Sequence, residues 1–102
     1  GAGAMLASAC DIRVVAPSAY FAIPVARMGV TVDKDLADSM TALLGGARAR
    51  TMLMTGASLP ATDAVSSGFA AAEGTLDDAL SIATTCAAGN PATIASIKES
   101  FA

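Results

Sequence analysis

Glycine and proline residues divide this chain of 102 residues into short segments, each of which we interpret as one short strand or helix. The first segments are rich in β-branched and aromatic residues, and DIRVVA at 11–16 and AYFAI at 19–23 are predicted to be strands. Helical patterns dominate after them, so the sequence indicates a mixed α/β fold. The residues that separate the segments are Pro17, Pro24, Gly45, Gly46, Gly56, Pro60, Gly68, Gly89 and Pro91.

Apolar spacing and helix end signals locate the helices. A short buried helical stretch is expected at 3–9, and FAAA at 69–72 is interpreted as a short strand. Thr75 and Asp78 form a capping-box pattern, which predicts a helix that ends at Gly89. The other predicted helices run from Asp33 or Asp35 to Leu44, over about 47–54, from Pro60 in the first turn through Ser67, and from Pro91 after an Asn90 cap.

The composition limits both the core and the partners. Hydrophobic residues make up 54% of the chain, but 25 of the residues are alanine and only 4% are aromatic, so the core must consist of small and aliphatic side chains. Met28, Met40, Met52 and Met54 are expected to fill this core, which is the commoner role, or an acyl pocket. Charged residues make up 15% and the net charge is −3. The chain therefore lacks the basic surface that nucleic-acid binding requires.

The cysteine and histidine content excludes several kinds of site. Cys10 and Cys86 are far apart in sequence, and the chain contains no histidine. We interpret both cysteines as buried free thiols in a reducing, cytoplasmic compartment, with neither a disulfide nor a metal site. A Ser-His or Cys-His nucleophile pair is excluded within this segment.

No membrane segment or signal peptide is predicted. The longest uncharged run lies between Asp78 and Lys98, but Gly89, Asn90 and Pro91 interrupt it and serine and threonine are scattered through it. We therefore expect a soluble protein. The start at Gly1 suggests that the chain is a fragment.

The opening stretch GAGAMLASACDIR allows three interpretations. A dinucleotide-binding loop is disfavoured, because no strand precedes Gly1 and no acidic residue ends a second strand at the usual spacing. A tight turn that leads into a packed helix is the commonest structure for such a pattern. The third interpretation is a helix start whose free N–H groups stabilise an oxyanion.

The order of motifs after this stretch resembles the enoyl-CoA hydratase/isomerase (crotonase) family. The family pattern is a glycine turn, an apolar helix, Cys-Asp-Ile-Arg, a strand and Phe-x-x-Pro, which compares with GAGAMLASACDIRVVAPSAYFAIPVARMGV. The similarity continues through LLGGARARTMLMTGASLPATDAVSSGF and PATIASIKES, and spans nearly all 102 residues. It implies a partial crotonase-type ββα spiral over 1–102, without the N-terminal half of the core and the C-terminal trimerisation helices.

The resemblance also implies where an acyl-CoA thioester would bind. Ala2 is at the position whose backbone N–H is one of the two oxyanion donors, and the substrate-binding positions are Gly1, Ala2, Gly3, Pro24 and Gly29. Coenzyme A arrives with the substrate, so no separate cofactor is expected. The full-length protein is expected to form a homotrimer or hexamer.

The catalytic positions depart from the family pattern. Met5 and Val25 occupy the positions of the two glutamates that hydratases use, and neither side chain can transfer a proton. Asp33 corresponds to a catalytic aspartate in the dienoyl-CoA isomerase branch, whereas in ordinary helices an aspartate at such a position is a cap. Arg13 and Arg27 are weaker candidates, for CoA phosphates or for a solvated surface. Lys98 is at a position where the family often has a lysine near the last core helix, although an exposed helical lysine is the commoner role.

The family function implied is binding of an acyl-CoA thioester and stabilisation of its enolate during hydration or isomerisation, in fatty acid metabolism. One alternative is a non-catalytic acyl-CoA-binding or scaffold homologue that has lost both glutamates. Another is a truncated product that folds poorly alone, because half a spiral leaves strand edges unpaired.

Overall fold

A computed structural model describes residues 1–102 and confirms the mixed α/β class. The chain forms seven helices and four strands of two residues each. In chain order they are α1 Ala2–Ser8, β1 Val14–Val15, β2 Tyr20–Phe21, α2 Val25–Met28, α3 Lys34–Leu44, α4 Gly46–Thr55, β3 Leu59–Pro60, α5 Ala61–Ser66, β4 Ala72–Glu73, α6 Leu76–Ala87 and α7 Pro91–Ser100.

The strands form two separate pairs. β1 and β4 pair in parallel, with Val14 opposite Ala72, while β2 and β3 pair antiparallel, with Phe21 opposite Leu59. Each pair joins an early segment of the chain to a late one. The two strand pairs therefore bring residues from the first quarter of the sequence into contact with segments from its second half.

The core lies where α3, α4 and α5 pack against these strand pairs. It contains twelve buried hydrophobic residues, of which five are alanine, and Phe69 is its one buried aromatic residue. Ile23 and Met40 are its largest fully buried side chains. The expectation of a core made of small and aliphatic side chains is confirmed.

The helix caps predicted from the sequence are present. Asp33 Oδ1 accepts a hydrogen bond from the Leu36 N–H at 2.9 Å at the start of α3, and Asn90 Oδ1 accepts from the Thr93 N–H at 3.1 Å at the start of α7. Gly56 ends α4 in the left-handed conformation, with φ of 72°. These ends depend on local chemistry, which is why the sequence predicts them.

Several expectations about local structure are wrong. Pro60 pairs with Tyr20 and precedes α5 in an extended conformation, instead of lying in the first turn of that helix. The strand expected at 69–72 lies at Ala72–Glu73, because the chain before it is still part of the turn after α5, in which the Ala70 N–H donates to the Ala64 carbonyl at 2.9 Å. The short helix α2 was not predicted.

Burial differs from expectation on the outer helices. Cys10 and Cys86 are free, as predicted, but both are exposed. Cys86 lies on α6, which has no buried residue, and Cys10 follows α1, in which only Ala4 is buried. The expectation of buried thiols is therefore wrong.

Two of the four methionines expected in the core lie on the surface. Met28 is 69% exposed and Met54 is 75% exposed, whereas Met40 and Met52 are buried. The buried pair lies where α3 and α4 pack together.

Candidate functional site

Helix α1 contains the backbone N–H groups that are expected to stabilise an oxyanion. Its first residue is Ala2, and no side chain caps its N-terminus at Gly1. The Met5 N–H donates to the Gly1 carbonyl at 3.1 Å, and the N–H groups of Ala2 and Gly3 have no hydrogen-bond partner. Both residues are exposed, so an acceptor from outside the helix can reach their N–H groups.

A contact across the chain places the start of α1 beside the segment that contains Pro24. The Gly1 nitrogen donates a hydrogen bond to the Ala22 carbonyl. From Ala22 the chain passes through the buried Ile23 to Pro24, which precedes α2. The glycine turn and Pro24 therefore belong to the same region of the molecule.

The two positions expected to lack a catalytic carboxylate lie on the two helices of this region. Met5 is on α1 and is 47% exposed. Val25 is the first residue of α2 and packs partly against the core. Both side chains are apolar, and neither can donate or accept a proton.

Gly29 ends α2. Its φ is 69°, which favours glycine, and the following Val30 N–H donates to the Val25 carbonyl at 3.0 Å. The predicted substrate-binding position therefore has a structural role that explains the residue type.

Asp33 lies at the start of α3 as its N-cap, which is the structural role considered for it above. The carboxylate is exposed, and its only hydrogen bond is the one from Leu36. No hydrogen bond joins it to α1 or α2. The structure therefore assigns the cap, and a role in proton transfer remains a hypothesis.

Arg13, a candidate for binding CoA phosphates, makes several contacts within the chain. Its Nε donates to the Phe69 carbonyl at 2.6 Å, and its Nη1 donates to the Ala7 carbonyl at 3.1 Å and to the Cys10 carbonyl. The guanidinium carbon lies 4.9 Å from the centre of the Phe69 ring, a cation–π arrangement. The sequence missed this role, because Phe69 is distant along the chain and only the fold brings it to Arg13.

The other two basic candidates also have partners. Arg27 Nη2 lies 3.5 Å from the Gly56 carbonyl. Lys98 Nζ forms an ion pair with Asp11 at 2.9 Å, and the hydrogen bond and charge of Asp11 raise the pKa of Lys98 above its ordinary value of 10.5. The pair borders a groove of about 490 Å³ that Cys10, Arg13 and Phe101 also line.

Two further properties concern metals and membranes. No group of three histidine, cysteine, aspartate or glutamate side chains is arranged to hold a metal ion. None of the helices has the length and apolar character needed to cross a bilayer.

Comparison with known sequences identifies a family and close relatives. The family described as Enoyl-CoA hydratase/isomerase matches residues 1–102. A probable enoyl-CoA hydratase echA6 of Mycobacterium leprae is 44% identical over 79 residues, which are 78% of this chain and 32% of that protein. The corresponding echA6 of Mycobacterium tuberculosis is 43% identical over 79 residues, again 32% of its length. The chain thus spans about one third of the length of these curated relatives.

Solved structures agree with this result. The enoyl-CoA hydratase of Mycobacterium tuberculosis H37Rv superimposes with a TM-score of 0.88 at 29% identity, covering 97% of this chain and 47% of that one. The enoyl-CoA hydratase EchA16_2 of Mycobacterium paratuberculosis gives a TM-score of 0.88 at 28% identity, covering 97% and 46%. The fold is therefore a partial crotonase-like fold, as the sequence motifs implied.

Proposed function

Because the chain belongs to the enoyl-CoA hydratase/isomerase family, we propose that it binds an acyl-CoA thioester and stabilises the enolate of that thioester. The observation that carries the proposal is the free N–H of Ala2 at the exposed start of α1, beside the segment that leads to Pro24. A backbone N–H directed at the thioester oxygen stabilises the negative charge that develops there. Gly1 and Gly3 have no side chains, so a substrate carbonyl can approach the backbone closely.

Enolate stabilisation needs a second N–H donor and a group that moves protons. We assign the second donor to the part of the family fold that lies outside these 102 residues. The proposed site uses no cofactor of its own, since coenzyme A is part of the substrate. We also propose that the full-length protein assembles into trimers or hexamers.

Proton transfer distinguishes hydration from isomerisation. Met5 and Val25 cannot supply the paired carboxylates of a hydratase, so we propose an isomerase-type reaction with Asp33 as the acid or base. The Asp33 Oδ1 is occupied by the Leu36 N–H, while no protein group bonds to Oδ2. A non-catalytic acyl-CoA-binding protein is the second candidate, and the apolar side chains at Met5 and Val25 favour it.

The N–H donor can be removed without breaking the helix. Ala2 is the first residue of α1, a position at which proline is tolerated because its missing N–H would be unbonded anyway. We expect Ala2→Pro to lower turnover of an acyl-CoA substrate by about 10²-fold or more, as loss of one oxyanion donor does elsewhere. Ala2→Ser, which keeps the N–H, is the matched control and retains turnover. Equal turnover in both variants contradicts the oxyanion role.

The role of Asp33 is tested while the cap is preserved. Asparagine caps helices about as well as aspartate but cannot transfer a proton. We expect Asp33→Asn to reduce dienoyl-CoA isomerisation by about 10²-fold or more, with an unchanged melting temperature. Asp35→Asn, in the first turn of the same helix, controls for the loss of a negative charge.

Three results separate the candidate functions. Isomerisation without crotonyl-CoA hydration supports the proposed reaction. Binding of acyl-CoA without turnover of either substrate supports the non-catalytic alternative. Full isomerase activity in Asp33→Asn contradicts the proposed role of Asp33 but does not contradict enolate stabilisation by the chain.

A further inference from the structure

Arg13 connects the end of α1 to the segment that follows α5. Its side chain contacts carbonyls at the end of α1, at Ala7 and Cys10, and a carbonyl of the buried core at Phe69. Its main chain is fixed as well, because the Ala71 N–H donates to the Arg13 carbonyl at 2.8 Å. Arg13 is therefore held to the segment after α5 by both its backbone and its side chain.

The position of α1 depends on few other contacts. Ala4 is its only buried residue, and its Ser8 hydroxyl donates within the helix, to the Ala4 carbonyl at 2.7 Å. No basic residue lies in its last turn, so the guanidinium of Arg13 supplies the positive charge that favours the carbonyl end of a helix. The opposite end of α1 is held by the bond between Gly1 and Ala22.

We propose that Arg13 is a positioning residue that acts through α1: it fixes the direction of the helix and thereby the direction of the Ala2 N–H. This inference rests on the proposed function. A helix of seven residues is about 10 Å long, so a tilt of about 6° at one end displaces the other end by about 1 Å. Errors of this size in the position of a group at a reaction centre reduce rates by about 10²-fold.

The geometry of the guanidinium explains why arginine is required. Its Nε and Nη1 donate to carbonyls of different segments, while its guanidinium carbon lies over the Phe69 ring. A lysine ammonium keeps the charge but cannot reproduce this planar fork. Substitution by lysine therefore separates the effect of charge from the effect of geometry.

The experiment uses 2,4-hexadienoyl-CoA as a probe, because its absorption moves to longer wavelength when hydrogen bonds polarise the thioester carbonyl. It compares Arg13→Lys, Arg13→Gln and the wild type of the full-length protein, with Arg48→Gln as a control at an exposed arginine of α4. We expect both Arg13 variants to bind the probe within about threefold of the wild-type affinity and to lose most of the spectral shift. We also expect both variants to convert an acyl-CoA substrate about 10-fold to 10²-fold more slowly than the wild type. The control keeps the wild-type shift.

Each other outcome has a definite meaning. A wild-type spectral shift that persists in both Arg13 variants overturns the inference and leaves the proposed function intact. A wild-type full-length protein that binds the probe without any shift contradicts the proposed oxyanion site, and the inference with it. If circular dichroism shows that even Arg13→Lys is unfolded, Arg13 holds the whole fold together and the specific positioning role is wrong.

Discussion

The cap of α6 illustrates how two side chains determine where a helix begins. The Asp78 N–H donates to Thr75 Oγ1 at 3.2 Å, and Asp78 Oδ2 accepts from the Thr75 N–H at 2.8 Å. The reciprocal bonds form a complete capping box, as the sequence pattern predicts. The backbone bond from Thr75, with a further bond from its hydroxyl, lowers the pKa of Asp78 below its ordinary value of 3.8.

The lowered pKa of Asp78 predicts an acid dependence of α6. The unfolded chain binds the proton more readily, so the cap stabilises the fold above pH 3.8 and this contribution disappears as the pH falls through the lower folded pKa. We expect the protection of the α6 amides, measured relative to their intrinsic exchange rates, to fall over that range, and Asp78→Asn to lack this acid-dependent loss of protection. Asp77→Asn is the control, because Asp77 makes no cap bond, and it should behave like the wild type. An identical acid dependence in Asp78→Asn would show that the cap carboxylate is not responsible.

Gly56 provides a second test at the scale of one residue. Its φ of 72° is unfavourable for other residues, and a Cβ there would lie 3.0 Å from Nε of Arg27. We expect Gly56→Ala to lower the free energy of unfolding by about 1–2 kcal/mol through its backbone alone, with an added cost if Arg27 is displaced. Urea denaturation measures the change.

The matched control for that substitution is Gly68→Ala. Gly68 has a φ of 83° but no atom within 4 Å of an added Cβ, so only the backbone cost of about 1–2 kcal/mol applies. A loss in Gly56→Ala that is smaller than in Gly68→Ala would contradict the proposed contact with Arg27.

The helices differ in how many of their residues are buried and therefore in how much they contribute to the stability of the fold. α3 packs on α4, and their buried residues include Met40, Leu44 and Met52. α6 and α7 contain no buried residue, although they are among the longest helices in the chain. Length and capping therefore keep α6 and α7 helical, whereas packing places α3 and α4 in the core.

Two leucine substitutions separate these contributions. Leu44 on α3 is 3% exposed and Leu80 on α6 is 54% exposed. We expect Leu44→Ala to lower the free energy of unfolding by about 2–5 kcal/mol, because it leaves a cavity in the core. Leu80→Ala is the same chemical change at an exposed position and is expected to cost less than about 1 kcal/mol. Equal losses by urea denaturation would show that α6 is as well packed as α3.

The elements with local signals were predictable from the sequence, and the others were not. The caps at Asp33, Thr75 and Asn90 fix the starts of three helices, since each depends on residues within one turn. The four residues of α2 are too few to show a helical period. The role of Arg13 depends on Phe69, which only the folded chain brings near it.

Less of the candidate site than of the secondary structure could be predicted from the residues themselves. The order of motifs predicted the family, which comparison with known sequences confirms, whereas the roles assigned to Ala2, Met5 and Val25 stay predictions. The burial of the cysteines could not be derived from residue type, because it depends on which helix faces are covered by other elements.

The whole molecule exposes more surface than a compact protein of its size. Its accessible surface is 6634 Å², whereas about 5,200 Å² is expected for a monomer of 10.0 kDa. Its radius of gyration is 14.6 Å, against about 13 Å for a compact domain of this length. Large hydrophobic side chains account for part of the excess, and on α6, on α7 and just beyond α7 they are Leu76, Leu80, Ile97 and Phe101, each 49–85% exposed.

This apolar surface predicts that the native chain binds a hydrophobic dye such as anilinonaphthalene sulfonate. Two of the twelve large hydrophobic residues exposed on this chain are leucines of α6, so the double substitution Leu76→Ser, Leu80→Ser should reduce dye fluorescence. The melting temperature should change little, because neither leucine is buried. A control with Ser81→Ala and Thr85→Ala changes exposed polar positions of the same helix and should leave the fluorescence unchanged. If the leucine variant binds as much dye as the wild type, the accessible apolar surface lies elsewhere, and the exposed residues of α1, Met5 and Leu6, become the next positions to substitute.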